Sequence, residues 1–398
     1  MIKKVELLAP SGSYEKGKVA LDYGADAIYL GAKAYSLRAR ASNFDDQELM
    51  KISQLVHRDG RKWYLVANVL CQNQMIKPFK PFLNSILQYQ PDGIIVSDPY
   101  IIDMVQQIAP QLPIHISTQQ SVTNSKACLF FARNHCQRVI LSREVSHEEL
   151  VKLIRNVDKQ IEIEVFVHGA VCIGYSGRCM LSNNFCLRDA NIGGCAQSCR
   201  WKLFLYNRDH KFDHVFTMSA KDMCLIEKIP ELIAAGVSSF KIEGRMKSEY
   251  YLATIVSNYR KVIDQAFYHK PIDQKCYTDV LNAANRPVDT AWYDGIPNMH
   301  KMLYHEDERK VVQNYAFRII NKIDDQHYDI IVMNHMKQVF TYEVLDMKTN
   351  TVVPIIIKEL FNDQNKIVDV LPTPMMHAKI TLAHPVDLVV GDIGRIKN

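Results

Sequence analysis

The chain has 398 residues, 47% hydrophobic and 23% charged, enough for one large domain with its own core and a smaller one beside it. Ten cysteines are too sparse for a disulfide scaffold, and no uncharged stretch reaches membrane-spanning length. The net charge of +5 tolerates a polyanionic partner without demanding one, and with no lysine- or arginine-rich tail any polyanion must meet a folded basic face.

The opening "MIKKVELLAP" enters a strand-like run with no apolar leader, so a cytoplasmic location away from membranes is expected. In chain order, strand candidates fall at 5–10, 27–31, 62–69, 93–98, 113–118, 138–142, 161–167 and 239–244, with helical patterns between most of them. The first helix, 11–23, has Ser11 or Ser13 as its cap and Ala20, Leu21 and Tyr23 on its apolar side. Eight strands in this rhythm predict an α/β fold, a (β/α) TIM-like barrel over 1–268; a doubly wound open sheet fits the alternation nearly as well.

Between the seventh and eighth strands the rhythm breaks for a long insertion, 168–236. Chain leaving the carboxyl end of a barrel strand lies over the catalytic mouth, so the insertion belongs there. After a helix at 246–268, residues 269–312 are polar and proline-punctuated and read as a linker or ancillary region. From 313 to 398, short alternating runs predict a small all-β C-terminal domain, a barrel and a possible RNA contact with Arg318, Lys322 and Lys337 as its surface cations.

The insertion carries Cys172, Cys179, Cys195 and Cys199 among Gly169, Gly174, Gly177, Gly193 and Gly194. Soft thiolates gathered in a cytosolic-looking chain suit a metal centre, and glycine lets backbone wrap a bulky ligand. Their intervals differ from the paired knuckles of a zinc ribbon, so an iron–sulfur site comes first and zinc second; spacing alone leaves both open. Cys186 and Cys224 are spare thiols, the latter a core candidate.

Residues 164–182, "EVFVHGAVCIGYSGRCMLS", and 241–251, "KIEGRMKSEYY", resemble the two signatures of the collagenase-like peptidases of unknown catalytic type, and "LLAPSGSYEKGKVALDYGADAIYLG" resembles that family's opening. The resemblance covers about residues 1–268. It implies an enzyme of the branch that hydroxylates RNA without molecular oxygen, converting the wobble uridine of tRNA to 5-hydroxyuridine. It further implies a 4Fe-4S cluster on Cys172, Cys179, Cys195 and Cys199, prephenate as oxygen donor, and a possible partner subunit of the same family. "GGCAQSCRWKL" at 193–203 resembles the RNA-modifying branch more than the quinone-modifying one.

Residue chemistry adds candidates at the same rim. Glu243, Arg245 and Lys247 follow the last barrel strand, where cations and free amides meet anions; Arg245 is a clamp for a carboxylate, and an Arg245–Glu243 pair closing the barrel is the bland alternative. His168 is a candidate acid or base because free imidazole titrates near neutrality, although a lone histidine is more often scaffold. Ser117, Thr118 and Gln119 follow the fifth strand and Ser142, Arg143 and Glu144 the sixth; Tyr175 and Arg178 lie within the cysteine loop, and Ser117, Gln119, Arg143, Tyr175, Arg178 and Lys247 are read as substrate-binding. A peptidase is the runner-up, yet neither HExxH nor G-x-S-x-G occurs. An RNA-binding protein with a structural metal is the third reading.

Overall fold

A computed structural model describes residues 4–37, 43–207, 210–304 and 314–397. Seven strands, β1 (Glu6–Pro10), β2 (Ala27–Leu30), β3 (Lys62–Ala67), β4 (Gly93–Val96), β5 (Ile114–Ile116), β6 (Arg138–Ile140) and β7 (Glu162–Gly169), pair in parallel with their chain neighbours. An eighth, Ser239–Ile242, pairs in parallel with both β7 and β1, so the sheet closes into the expected TIM-like barrel and is not an open doubly wound sheet. Runs such as Leu7–Leu8–Ala9 and Ile94–Ile95–Val96 are buried on both faces, as parallel strands sheathed by helices must be.

The connecting helices start where short polar side chains take up free amides. Ser13, and not Ser11, accepts from the Lys16 amide, and Asp45 with Glu48 forms a reciprocal capping box. Such starts fix where each helix lies against its strand, and hence which residues end at the carboxyl mouth.

The barrel interior holds charge. Arg138 on β6 reaches Glu6 at 2.5 Å, Glu162 at 2.7 Å and Glu164 at 3.0 Å, while Lys241 on the eighth strand reaches Glu164 at 2.9 Å. Burial works against the Glu164 charge, but Lys241 and Arg138 outweigh it and hold the carboxyl below its usual range.

The insertion leaves β7, forms a hairpin of strands Leu203–Asn207 and His210–Phe216, then returns as strand Asp222–Cys224, antiparallel to the end of β7. That return strand went unforeseen. The expected linker is more structured than its composition suggests: it holds the helix Lys275–Ala283 and a strand, Val288–Asp289, that pairs with Asp222–Cys224. Its last residues, 305–312, lie outside the described residues.

The C-terminal region is an eight-stranded antiparallel sheet running in order from Thr351–Ile355 to Ile367–Val368. Its two end strands are different strands with other neighbours, so the expected barrel stays open as a half-barrel. It is fastened to the first domain by polar bonds. Tyr23 donates to the Leu345 carbonyl at 2.9 Å, and Arg318 reaches Glu15 and Glu249, each at 3.1 Å. Arg395, 1% exposed, joins Glu343 at 2.8 Å and Asp279 at 3.1 Å. No helix among the described residues is long and apolar enough to cross a membrane.

Removing one partner of a buried ion cluster strands the others. Arg395→Leu takes from Asp279 its ion-pair partner and leaves Glu343 only the exposed Lys397 at 3.4 Å, and the expected cost is about 3–5 kcal/mol in urea-induced unfolding; a change below about 1 kcal/mol would show that water solvates this seam.

Candidate functional site

At the carboxyl mouth a cleft is lined by residues from the barrel strands and from the insertion. Its apolar floor is Val66, Ile95, Ile140 and Phe166. Its charged groups are Arg143, Lys241, Glu243 and Arg245, three cations to one carboxylate. The Arg143 guanidinium stacks 3.8 Å from the centre of the Phe166 ring, and the Lys241 ammonium sits 4.4 Å from that of Tyr29. The Tyr29 hydroxyl lies 2.9 Å from the Ile242 carbonyl and 3.2 Å from the Glu243 carboxylate, which fixes that carboxylate toward the cleft. Arg245 is buried and donates to Ser36 at 3.0 Å. Its room comes from Gly31, where a Cβ would stand 2.6 Å from the guanidinium.

Cys172, Cys179, Cys195 and Cys199 all line this same cleft. Cys172 and Cys195 are exposed and Cys179 and Cys199 partly buried. Burial pushes the Cys199 thiol up to about 11, Arg200 pulls against that, and the other three sulfurs push it up further. Burial likewise raises Cys179, with Cys172 and Cys195 adding to the rise. The Cys179 and Cys199 thiols therefore feel the other sulfurs across one shared space. Among the described residues, however, no three His, Cys, Asp or Glu side chains stand at the spacing of a single ion. A tetrahedral zinc, with Zn–S near 2.3 Å, needs sulfurs about 3.8 Å apart. Four thiols bordering one cleft are a donor set of the kind that zinc or an iron–sulfur cluster takes.

The two halves of the cysteine loop are anchored differently. In the first half, Glu144 accepts from the Ser176 amide at 2.9 Å and from its hydroxyl at 3.2 Å, and the Ser121 hydroxyl donates to the Ser176 carbonyl. Gly177, at φ +74°, lies so close to the turn after β5 that a Cβ would stand 2.0 Å from the Gln119 carbonyl oxygen. In the second half, Ser182 accepts from the Ala196 amide at 3.0 Å, and Arg200 donates to Ser219 at 3.1 Å and the Val171 carbonyl at 3.4 Å. The spare thiols differ in kind: Cys186 contacts Ser198 at 3.5 Å, whereas Cys224 is buried 3.8 Å from the Tyr259 hydroxyl.

Of the residues singled out from sequence, Ser117, Thr118, Gln119, Arg143, Tyr175, Glu243 and Arg245 line the cleft with the four cysteines. His168, Arg178 and Lys247 are not among its lining residues. Arg178 bonds to Ser121 at 3.2 Å on the outer side of the loop, and Lys247 stands 3.8 Å from Asp222. His168 is 1% exposed, its Nδ1 3.3 Å from the Tyr259 hydroxyl, which itself donates to the Val167 carbonyl. The neutral ring thus carries its proton on Nδ1, assigned from this hydrogen-bond pattern. Burial, with a smaller push from Lys247, lowers its pKa to about 3, so the titration near neutrality expected of it is absent. Lys241 and Asn68 line the cleft and were missed; a lysine inside the buried run "SFKIEG" was the available signal.

The family model for "Peptidase family U32" matches residues 12–303. The chain is 42% identical over 335 residues to "tRNA hydroxylation protein P1" of Bacillus subtilis, covering 81% of this chain and 79% of that protein. It is 34% identical over 362 residues to "tRNA hydroxylation protein P" of Escherichia coli, covering 79% and 77%. It is also 32% identical over 277 residues to "Collagenase" of Porphyromonas gingivalis, covering 66% of each.

Two measurements check this geometry. Gly177→Ala forces the loop off the β5 turn at about 1–3 kcal/mol, so alkylation of the half-buried Cys179 in metal-free protein should quicken roughly tenfold or more; an unchanged rate would mean the close approach is not held in solution. For His168 the folded pKa lies below the unfolded one, so its stabilising contribution is complete above about pH 6.5 and fades as pH falls toward about 3. His168→Gln should remove up to about 1.4 kcal/mol per pH unit from the slope of unfolding free energy in that window. An unaltered slope would show a ring already charged when folded.

Proposed function

We propose, from the premise that the chain belongs to peptidase family U32, that it hydroxylates tRNA without molecular oxygen, forming 5-hydroxyuridine at the wobble position with prephenate as oxygen donor. The observation that carries this reading is the company the four thiols keep: they border the same cleft as Arg143, Lys241, Glu243 and Arg245. The relatives named for tRNA hydroxylation support tRNA as the substrate class.

In this reading Cys172, Cys179, Cys195 and Cys199 hold a 4Fe-4S cluster, which when bound supplies an electron-transfer centre next to the reacting base. The rest falls to the chain. Prephenate carries two carboxylates, and Arg143, braced on Phe166, and Arg245, oriented by Ser36, offer two planar cationic forks for them. Glu243, fixed by Tyr29, accepts a hydrogen bond from an N–H on the pyrimidine edge. Ser117, Gln119 and Asn68 supply polar contacts at the rim, with Asn68 donating to Ser117 at 3.2 Å. The apolar floor keeps water from the reacting carbon. A peptidase needs a nucleophile beside a base, and no histidine is among the residues lining this cleft.

Nucleoside mass spectrometry of total RNA from a deletion strain tests the reading. Loss of 5-hydroxyuridine derivatives from tRNA is expected; loss of a ribosomal hydroxycytidine instead would move the substrate, and unchanged RNA would end the proposal. Protein purified without air should be brown, and Cys172→Ala should lose the colour, the iron and the capacity to restore the nucleoside. Glu243→Gln should keep the iron and lower turnover about a hundredfold.

A further inference from the structure

The cysteine excursion does more than border the cleft. Among the described residues, 23 large hydrophobic side chains stand exposed, and nine of them fall between Ile173 and Tyr206. That span is under a tenth of the chain. Five are aromatic: Tyr175 at 50% exposure, Phe185 at 49%, Trp201 at 41%, Phe204 at 51% and Tyr206 at 64%. All five belong to the one excursion, and the Tyr175 ring meets Trp292 at 5.8 Å. Tyr175 lines the cleft, Phe185 and Trp201 meet edge to face with centroids 6.1 Å apart, and Phe204 and Tyr206 continue outward along the hairpin.

A face this apolar invites a partner, and its charge says which kind. Between Tyr175 and Phe204 the sequence has Arg178, Arg188, Arg200 and Lys202 against a single carboxylate, Asp189. The hairpin sequence adds Arg208 and Lys211 against Asp209 and Asp213, and the Lys211 ammonium lies 4.0 Å from the centre of the Phe204 ring. Arg178 bonds to a hydroxyl and not to a carboxylate. Two of the three cations first singled out on the C-terminal sheet are held by carboxylates: Arg318 by Glu15 and Glu249, and Lys322 by Asp325 at 2.6 Å and Asp387 at 2.5 Å; the third, Lys337, lies 5.7 Å from the centre of the Phe340 ring. Flat rings interleaved with an excess of positive charge, six Lys and Arg to three Asp between Tyr175 and Phe216, match unstacked bases on a phosphate backbone, whereas a protein interface of this apolarity is depleted in charge at its centre.

We infer that the aromatic and basic face of the cysteine excursion, from Tyr175 through Phe185 and Trp201 to Tyr206, is the platform on which a single-stranded RNA loop stacks as it enters the cleft. This rests on the proposed tRNA chemistry and adds the docking surface to it. Bases stack on the rings, Arg188 and Lys211 face phosphates, and the C-terminal sheet contributes little charge to the contact.

The test uses the full chain and a fluorescein-labelled anticodon stem-loop RNA, with binding followed by anisotropy and no turnover required. Phe204→Ala and Tyr206→Ala, both at exposed positions, should each weaken binding about tenfold, with iron content and far-ultraviolet circular dichroism equal to the parent. Arg188→Gln should lower the slope of log affinity against log salt by about 0.7. If the parent binds and these variants bind equally well, the platform is overturned while the tRNA reading stands. If the parent binds no RNA at all, both fall. If the aromatic variants change only the sedimenting mass, from dimer to monomer, the face is an interface between copies and the inference is wrong.

Discussion

Four charged side chains inside the barrel, Glu6, Arg138, Glu164 and Lys241, constrain the rest of the molecule. Each comes from a different strand, and none can be left alone in a medium so poor in water. Pairing them requires β1, β6, β7 and the eighth strand to stand in one relative register. A slip of one residue in any of them would turn a charge into the apolar outer layer. The eighth strand in fact shifts register against β7 between Lys241 and Ile242. That local irregularity falls beside the one cation that both closes the interior network and borders the cleft, so barrel closure and site geometry are fixed by the same contacts.

The consequence for the site runs through the residues just beyond. Once Lys241 is set, Glu243 and Arg245 follow within the same short segment. Tyr29 on β2 and Ser36 from the connection after it then orient them. On the opposite rim, Glu144 reaches from the connection after β6 to hold Ser176 of the insertion. Polar groups on separate βα-connections thus meet above one apolar floor, as expected of a barrel whose chemistry lies on its carboxyl face.

Much of this was legible in the sequence because local pattern carries it. The eight buried runs, the break after "EVFVHG" and the change of texture past the helix Glu249–Phe267 are all properties of contiguous residues. What stayed hidden depends on partners far along the chain. Nothing near His168 announces that Tyr259, 91 residues later, will enclose it and deny it protons. The return strand Asp222–Cys224 is three residues long and exists because β7 and Val288–Asp289 flank it. The helix within 269–312 is half polar, yet it buries Cys276, Val280 and Ala283 in the first domain's core, and Arg395 reaches its Asp279 from the far end of the chain. Glu164 and Arg138 sat in plain view inside strand candidates, yet their pairing across the lumen has no local signature.

The seam at Arg395, Tyr23 and Arg318 has a mechanical meaning. Because the half-barrel is bolted to the first domain by buried polar bonds as well as apolar packing, it behaves as a rigid flange, not an arm on a tether. A macromolecule that touches both flange and mouth must fit a fixed calliper. Selectivity between rival macromolecules can then evolve by reshaping the flange's outer edge, with the chemistry at the mouth left untouched.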